Sequence, residues 1–189
     1  MPPRAKFTKA EVLEAALGLV REEGMEALSA RSLAARLGTS TAPIFTAFSS
    51  LEELKRAVEQ AARQCYADYI KQGLSDKQRP FKEAGLMYIR FAKEEKHLFK
   101  LLFLKRASGR EQTHYFPDTD ENNPIILEAI CQNYNLSEDR ARRIYNHMSV
   151  YALGLALAFS QEDSVFSEED ASALLSELFF SLYNYYKGE

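Results

Sequence analysis

From Ser29 to Phe48 the chain reads Ser-Ala-Arg-Ser-Leu-Ala-Ala-Arg-Leu-Gly-Thr-Ser-Thr-Ala-Pro-Ile-Phe-Thr-Ala-Phe. Two short stretches of helical apolar spacing meet at Gly38-Thr39-Ser40, where glycine supplies the backbone conformation that a tight joint between helices demands. Such a hairpin presents the first residues of its second helix, and here they are small and uncharged. In a DNA major groove, Ser40, Thr41 and Thr46 can exchange hydrogen bonds with base edges or phosphates. The Thr41 methyl and Ala42 fit a thymine methyl. The competing account is an ordinary pair of helices inside a core, and the Gly38 joint alone does not separate the two.

Elsewhere the residues that could do chemistry are dispersed. His97 and His147 stand among aromatic residues, but no carboxylate or thiol lies one turn from His147, so no metal site is expected. His114 falls in a polar stretch. Cys65 and Cys131 have no ligand-spaced companions and read as small apolar core residues. The chain lacks a phosphate-binding glycine loop, a nucleophile elbow and an obvious carboxylate pair. No catalytic residue, no cofactor and no enzymatic activity are therefore expected. Tyr88, Phe91, Phe103, His147 and Tyr151 could line a pocket between helices for an apolar or aromatic small molecule, held by one or two hydrogen bonds. A plain aromatic core would carry the same residues.

Composition sets the frame for these groups. The 189 residues are 46% hydrophobic and 27% charged, the balance of a soluble protein with a substantial core. The first residues lead into a polar stretch, not a secretory signal, and the apolar run Met148 to Phe159 is too short to span a bilayer. A cytoplasmic location without membrane partners is expected. The net charge of −3 argues against indiscriminate coating of nucleic acid. Residues 1–56 hold eight of the 24 basic and seven of the 27 acidic residues, leaving 16 basic against 20 acidic in the remainder. A near-neutral head on an acidic body suits a protein that meets DNA through its head alone.

The elements that must position these residues are all helical, because apolar residues recur at helical spacing almost throughout. An all-α fold of about nine helices is expected. Thr8 with Glu11 forms a capping box for the first helix, whose apolar face is Val12, Leu13, Ala16, Leu19 and Val20, and Gly24 ends it. Ser29 opens the second helix, Gly38 ends it, and a short third helix runs from near Ser40 to Phe48 with Pro43 in its first turn. Ser50 with Glu53 is a second capping box, launching a long helix to about Gln72 with the stripe Leu51, Leu54, Val58, Ala61, Cys65 and Tyr69. Further helices start at Pro80, near Lys96, at Pro124, after Ser137 and after Ser167. A polar loop is expected from Ser108 to Asn123. The last helix carries Ala171, Leu174, Leu175, Leu178, Phe179, Leu182 and Tyr186 on one stripe.

The capped first helix, the hairpin and the run Phe48-Ser-Ser-Leu-Glu-Glu-Leu54 together resemble the N-terminal domain of the TetR family of transcriptional regulators. The resemblance covers residues 8 to about 56, with Ala34, Gly38-Thr39-Ser40, Phe45 and Phe48 at the family's characteristic places. It implies a helix-turn-helix DNA-binding domain over 1–50, reaching about 56 with the start of the fourth helix, and a ligand-sensing, dimerising domain over 51–189. It further implies a repressor that binds a near-palindromic DNA operator as a homodimer and answers to a small-molecule effector. The implied DNA contacts are Arg4, Lys6, Ser29, Arg31, Thr39, Ser40, Thr41, Ala42, Phe45, Thr46 and Lys55. The implied dimer face is Ala152, Gly154, Ala156, Leu174, Leu178, Phe179 and Leu182, a pair of helices whose small residues let a second copy approach closely. Three phosphate-contacting groups usual in the family are replaced, by Phe45, Ala47 and Leu51. That replacement sustains a rival expectation: a helical interaction module whose helix-turn-helix no longer reads DNA.

Overall fold

The computed structural model describes residues 7–76, 79–104, 123–161 and 167–187. Among them the chain is helical without strands. The nine α-helices are α1 (Lys9–Glu23), α2 (Ala30–Arg36), α3 (Ala42–Ala47), α4 (Leu51–Leu74), α5 (Pro80–Glu94), α6 (Lys96–Phe99), α7 (Asn123–Tyr134), α8 (Glu138–Phe159) and α9 (Glu168–Lys187). A 3-10 turn at Met25–Ala27 follows α1, and α6 runs on into a π-helical turn at Lys100–Leu104. The expected polar loop after Ser108 lies outside the described residues. No described helix is long and apolar enough to cross a membrane.

The described residues form two compact units, with the boundary inside α4 between Cys65 and Tyr66. The first unit holds α1, α2, α3 and the first part of α4, together with the segment from Glu95 to Leu104. Val12, Ala16, Leu19 and Val20 make the buried face of α1, with Leu13 only half-buried beside them. That face packs against α2, α3 and α6, and Leu33, Ile44, Phe48, Leu54, Val58, Leu98 and Phe99 complete the core.

In the second unit α5, α8 and α9 pack on one another, with α7 against α5 and α8. Phe81, Phe91, Ile130, Ile144, Met148, Phe159, Leu175 and Phe179 lie in its core. Met87 and Ile89 are buried on α5 where the sequence pattern favoured Tyr88, which is half-buried. Gly73 near the end of α4 has α5 against it: a Cβ there would come within 2.6 Å of the Ala84 backbone nitrogen. Any side chain at that place would force the two helices apart.

The buried stripe of α4 differs from the expected one. Leu54, Val58, Ala62, Tyr66 and Ile70 are buried, whereas Leu51, Ala61, Cys65 and Tyr69 are half-buried. A step of four residues overshoots one helical turn by about 40°. The buried face therefore winds about the helix, while the mixed three-and-four pattern follows a straight one. Cys65 is not an apolar core residue: its sulfur accepts a hydrogen bond from the Arg21 guanidinium at 3.5 Å. Cys131 is likewise half-buried, and neither cysteine forms a disulfide among the described residues.

Candidate nucleic-acid interface

Helix α3 has six residues, too few to hold a helical conformation unaided. Its position depends on the joint before it and on two anchors. At the joint, Gly38 adopts φ +61°, its N–H donates to the Ala35 carbonyl at 3.1 Å, and the Thr39 N–H donates to the Ala34 carbonyl at 3.0 Å. No atom lies within 4 Å of where a Gly38 Cβ would stand, so the left-handed backbone, not crowding, requires glycine here. The anchors are Ile44 and Phe48, each 1% exposed. Truncating Ile44 to alanine would cost about 2–5 kcal/mol, the usual penalty for emptying a packed site.

Turning Ile44 and Phe48 inward turns the other face of α3 out. Ser40, Ala42, Phe45, Thr46 and Ser49 are exposed, and Thr39, Thr41 and Ala47 are half-exposed. Thr41 occupies the N-cap position without a side-chain capping bond, which leaves its hydroxyl available. The Thr46 hydroxyl donates back to the Ala42 carbonyl at 3.0 Å. Threonine in a helix commonly makes this bond to the preceding turn. Ser29 caps α2, accepting from the Ser32 N–H at 3.1 Å while the Ser32 hydroxyl accepts from the Ser29 N–H at 3.0 Å. Its side chain is thereby committed to the helix end.

Charge on this unit is largely paired. Lys9 meets Glu53 at 2.8 Å and lies 4.6 Å over the centre of the Phe48 ring. Glu53 also accepts from the N–H and hydroxyl of Ser49, both at 2.7 Å. The expected capping box at Ser50 is thus half-made. The Ser50 hydroxyl accepts from the Glu53 N–H at 3.1 Å, but the Glu53 carboxylate turns to Ser49 and Lys9. Lys9 foremost, then the two Ser49 bonds, hold the Glu53 carboxyl down at about 2. One carboxylate so ties α1 to the turn between α3 and α4.

Arg36 grips Glu22 through two bonds of 2.7 and 2.6 Å, Arg21 meets Glu95 at 2.7 Å, and Lys55 meets Glu52 at 3.1 Å. Arg31 and Arg56 are exposed and have no ion pair among the described residues. Glu52 stands at pairing distance in sequence from both Lys55 and Arg56, at i,i+3 and i,i+4, and it is Lys55 that takes the carboxylate. Arg4 and Lys6 lie outside the described residues.

Of the residues expected to line a pocket, Tyr88, Phe91, His147 and Tyr151 belong to the second unit and Phe103 to the first. Tyr88 and Phe91 both contact Tyr66, with ring centroids 6.1 and 5.4 Å away, and Tyr69 joins Phe91 at 5.3 Å. Phe103 belongs to the first unit, 5.1 Å from Phe99. His147 is exposed and its Nε2 lies 3.2 Å from the Tyr186 hydroxyl. Tyr151, one turn on, is half-buried.

Of the expected dimer face, Ala152, Ala156 and Phe179 are buried within the single chain, Phe179 against Phe81 and Tyr134. Gly154 is exposed with nothing within 4 Å of its Cβ position, and Leu174, Leu178 and Leu182 are half-buried. The large apolar residues left open nearby on the same helices are Val150, Leu157, Phe180 and Tyr185. Among the described residues no cluster of histidine, cysteine or carboxylate side chains could hold a metal ion.

Set beside known proteins, residues 12–58 match the family model described as bacterial regulatory proteins, tetR family. No curated protein matches the chain.

Proposed function

The chain carries the DNA-binding domain of the TetR family of bacterial regulatory proteins, and on that premise we propose that it is a ligand-responsive repressor which binds a near-palindromic operator as a homodimer. The observation that carries the reading is α3 itself. It is anchored by Ile44 and Phe48, and its opposite face is open from Ser40 to Thr46 at the place where a helix-turn-helix meets base edges.

Dimerisation is supported by the open apolar residues of α8 and α9. Val150, Gly154 and Leu157 share one face at i, i+4 and i+7, and Phe180 on α9 is 54% exposed. A second copy would cover these residues and set two recognition helices in two-fold relation. An apolar or aromatic effector suits the ring cluster of Tyr66, Tyr69, Tyr88 and Phe91, with the Tyr69 hydroxyl donating to Glu94 at 2.7 Å. The regulator acts in the cytoplasm without a cofactor and catalyses no reaction.

The rival reading, a helical interaction module that no longer reads DNA, draws on one observation: no cation lies between Thr39 and Phe48. Fluorescence anisotropy with a duplex from the chain's own promoter region, in excess unrelated DNA, separates the two. The regulator binds its promoter saturably and more weakly as salt rises. Binding no tighter than to unrelated DNA would remove the regulator and leave the module. An effector that weakens operator binding must bind the DNA complex less tightly by the same factor, which calorimetry on the free and bound protein measures.

A further inference from the structure

Ala42, Phe45 and Thr46 stand at i, i+3 and i+4 on α3, and all three are exposed, Phe45 by 47%. The Thr46 hydroxyl is engaged by the Ala42 carbonyl. The stripe therefore meets its surroundings with a methyl group, an aromatic ring and a threonine whose own polar atom is already bonded. From Thr39 to Phe48 there is no arginine, lysine, asparagine, glutamine or carboxylate. The side chains that pair two-pronged with guanine or adenine, or accept from cytosine, are all missing.

A large ring left in water beside two buried apolar neighbours, on the helix of a DNA-binding domain, would gain by covering an apolar feature of the groove. Base edges in the major groove offer one such feature, the 5-methyl group of thymine. Resting on the DNA-binding reading above, we propose that α3 selects thymine by its methyl group and that Phe45 is the specificity-determining residue. Phe45 then reads a base instead of standing where a phosphate-bonding hydroxyl would.

The test begins with selection of bound duplexes from a random pool by the full-length protein. Each thymine of the selected site is then replaced singly by uracil, which keeps every hydrogen-bonding group of thymine and lacks only the methyl. Binding should weaken about fourfold at each thymine beneath the stripe, the effect of withdrawing one buried methyl from an apolar contact. Phe45→Ala should abolish the thymine–uracil difference at one of these positions, with helicity by circular dichroism unchanged because the residue is exposed.

Uracil tolerated at every position would overturn the proposal. So would a Phe45→Ala variant that loses affinity for thymine and uracil duplexes by the same factor. Enrichment of no duplex at all would refute DNA reading by the chain itself and carry this assignment down with it. That outcome is distinct from a selected site indifferent to the methyl.

Discussion

Counterion release offers a direct reading of which cations meet DNA. Between Phe7 and Val58 the chain has six: Lys9, Arg21, Arg31, Arg36, Lys55 and Arg56. Four of them already face a carboxylate within 3.1 Å. A cation so neutralised displaces no counterion from a phosphate unless its own pair breaks. Arg31 and Arg56 are left, four groups in a dimer. Each phosphate neutralised contributes about −0.9 to the slope of log K against log salt, so the described cations support a slope of about −4. Arg4 and Lys6, if both engage, steepen it to about −7. Arg31→Gln and Arg56→Gln should each flatten the slope by about 2, since each removes two contacts per dimer, and should weaken all sequences alike. Arg36→Gln is the control, because Arg36 is held by Glu22 through two bonds. It should leave the slope unchanged while lowering the thermal midpoint. Anisotropy titrations on one duplex between about 50 and 200 mM salt resolve these slopes. If Arg36→Gln flattens the slope as much as Arg31→Gln does, an ion pair with a neighbouring carboxylate does not keep a cation from phosphate, and the assignment to Arg31 and Arg56 is refuted.

Three further outcomes follow from the same geometry. Gly38→Ala should destabilise the protein by about 1 kcal/mol, the cost of a Cβ in left-handed backbone with nothing to clash against, lowering the midpoint by about 2–4 °C. Gly38→Asn should cost less, because asparagine tolerates that conformation, and equal losses in the two melts would contradict a purely conformational origin. Glu53, lowered from 4.5 to about 2, contributes stability fully present above its ordinary value and lost as pH falls towards 2. The gap in thermal midpoint between wild type and Glu53→Gln should therefore hold above about pH 5 and narrow as pH falls from 4.5 towards 2, and a gap constant with pH would refute the assignment. Val150→Glu with Phe180→Glu places charges on the open faces of α8 and α9 and should yield a folded monomer in light scattering, whereas an intact dimer would move the interface elsewhere.

Signals confined to a few neighbouring residues were legible in the sequence. Thr8 with Glu11, Ser29, and Ser167 with Asp170 cap helices through bonds within one turn. Gly38 takes the backbone its joint requires. Such bonds follow from spacing alone, so no knowledge of the rest of the chain was needed to place them. Ser137 marks the limit of this logic, since it occupies the N-cap position of α8 in extended backbone yet makes no side-chain capping bond. Where two bonding choices competed, distance along the chain decided nothing. Glu53 had both Ser50 and Ser49 within reach, and Lys9, 44 residues away, is the largest cause of its depressed pKa.

What periodicity could not reveal is which side of an amphipathic helix its own chain covers. Phe179 and Phe180 are adjacent and identical in type, yet one is 5% and the other 54% exposed. Phe81 and Tyr134 close over the first, and nothing in α9 announces them. Likewise Ala156, expected on a shared face, is fully buried within the single chain, while Val150 and Leu157 on the same helix are exposed. The sequence stripe marks where apolar area is greatest, and a chain buries that face first because it gains most there. In the dimer proposed above, a second copy is left the flank. Contacts between copies are therefore to be sought beside the strongest stripe, not along it, at residues whose apolar character the helix pattern leaves unexplained. In α3 the same rule singles out Phe45, exposed beside the buried Ile44 and Phe48, and the partner proposed for it is DNA instead of protein.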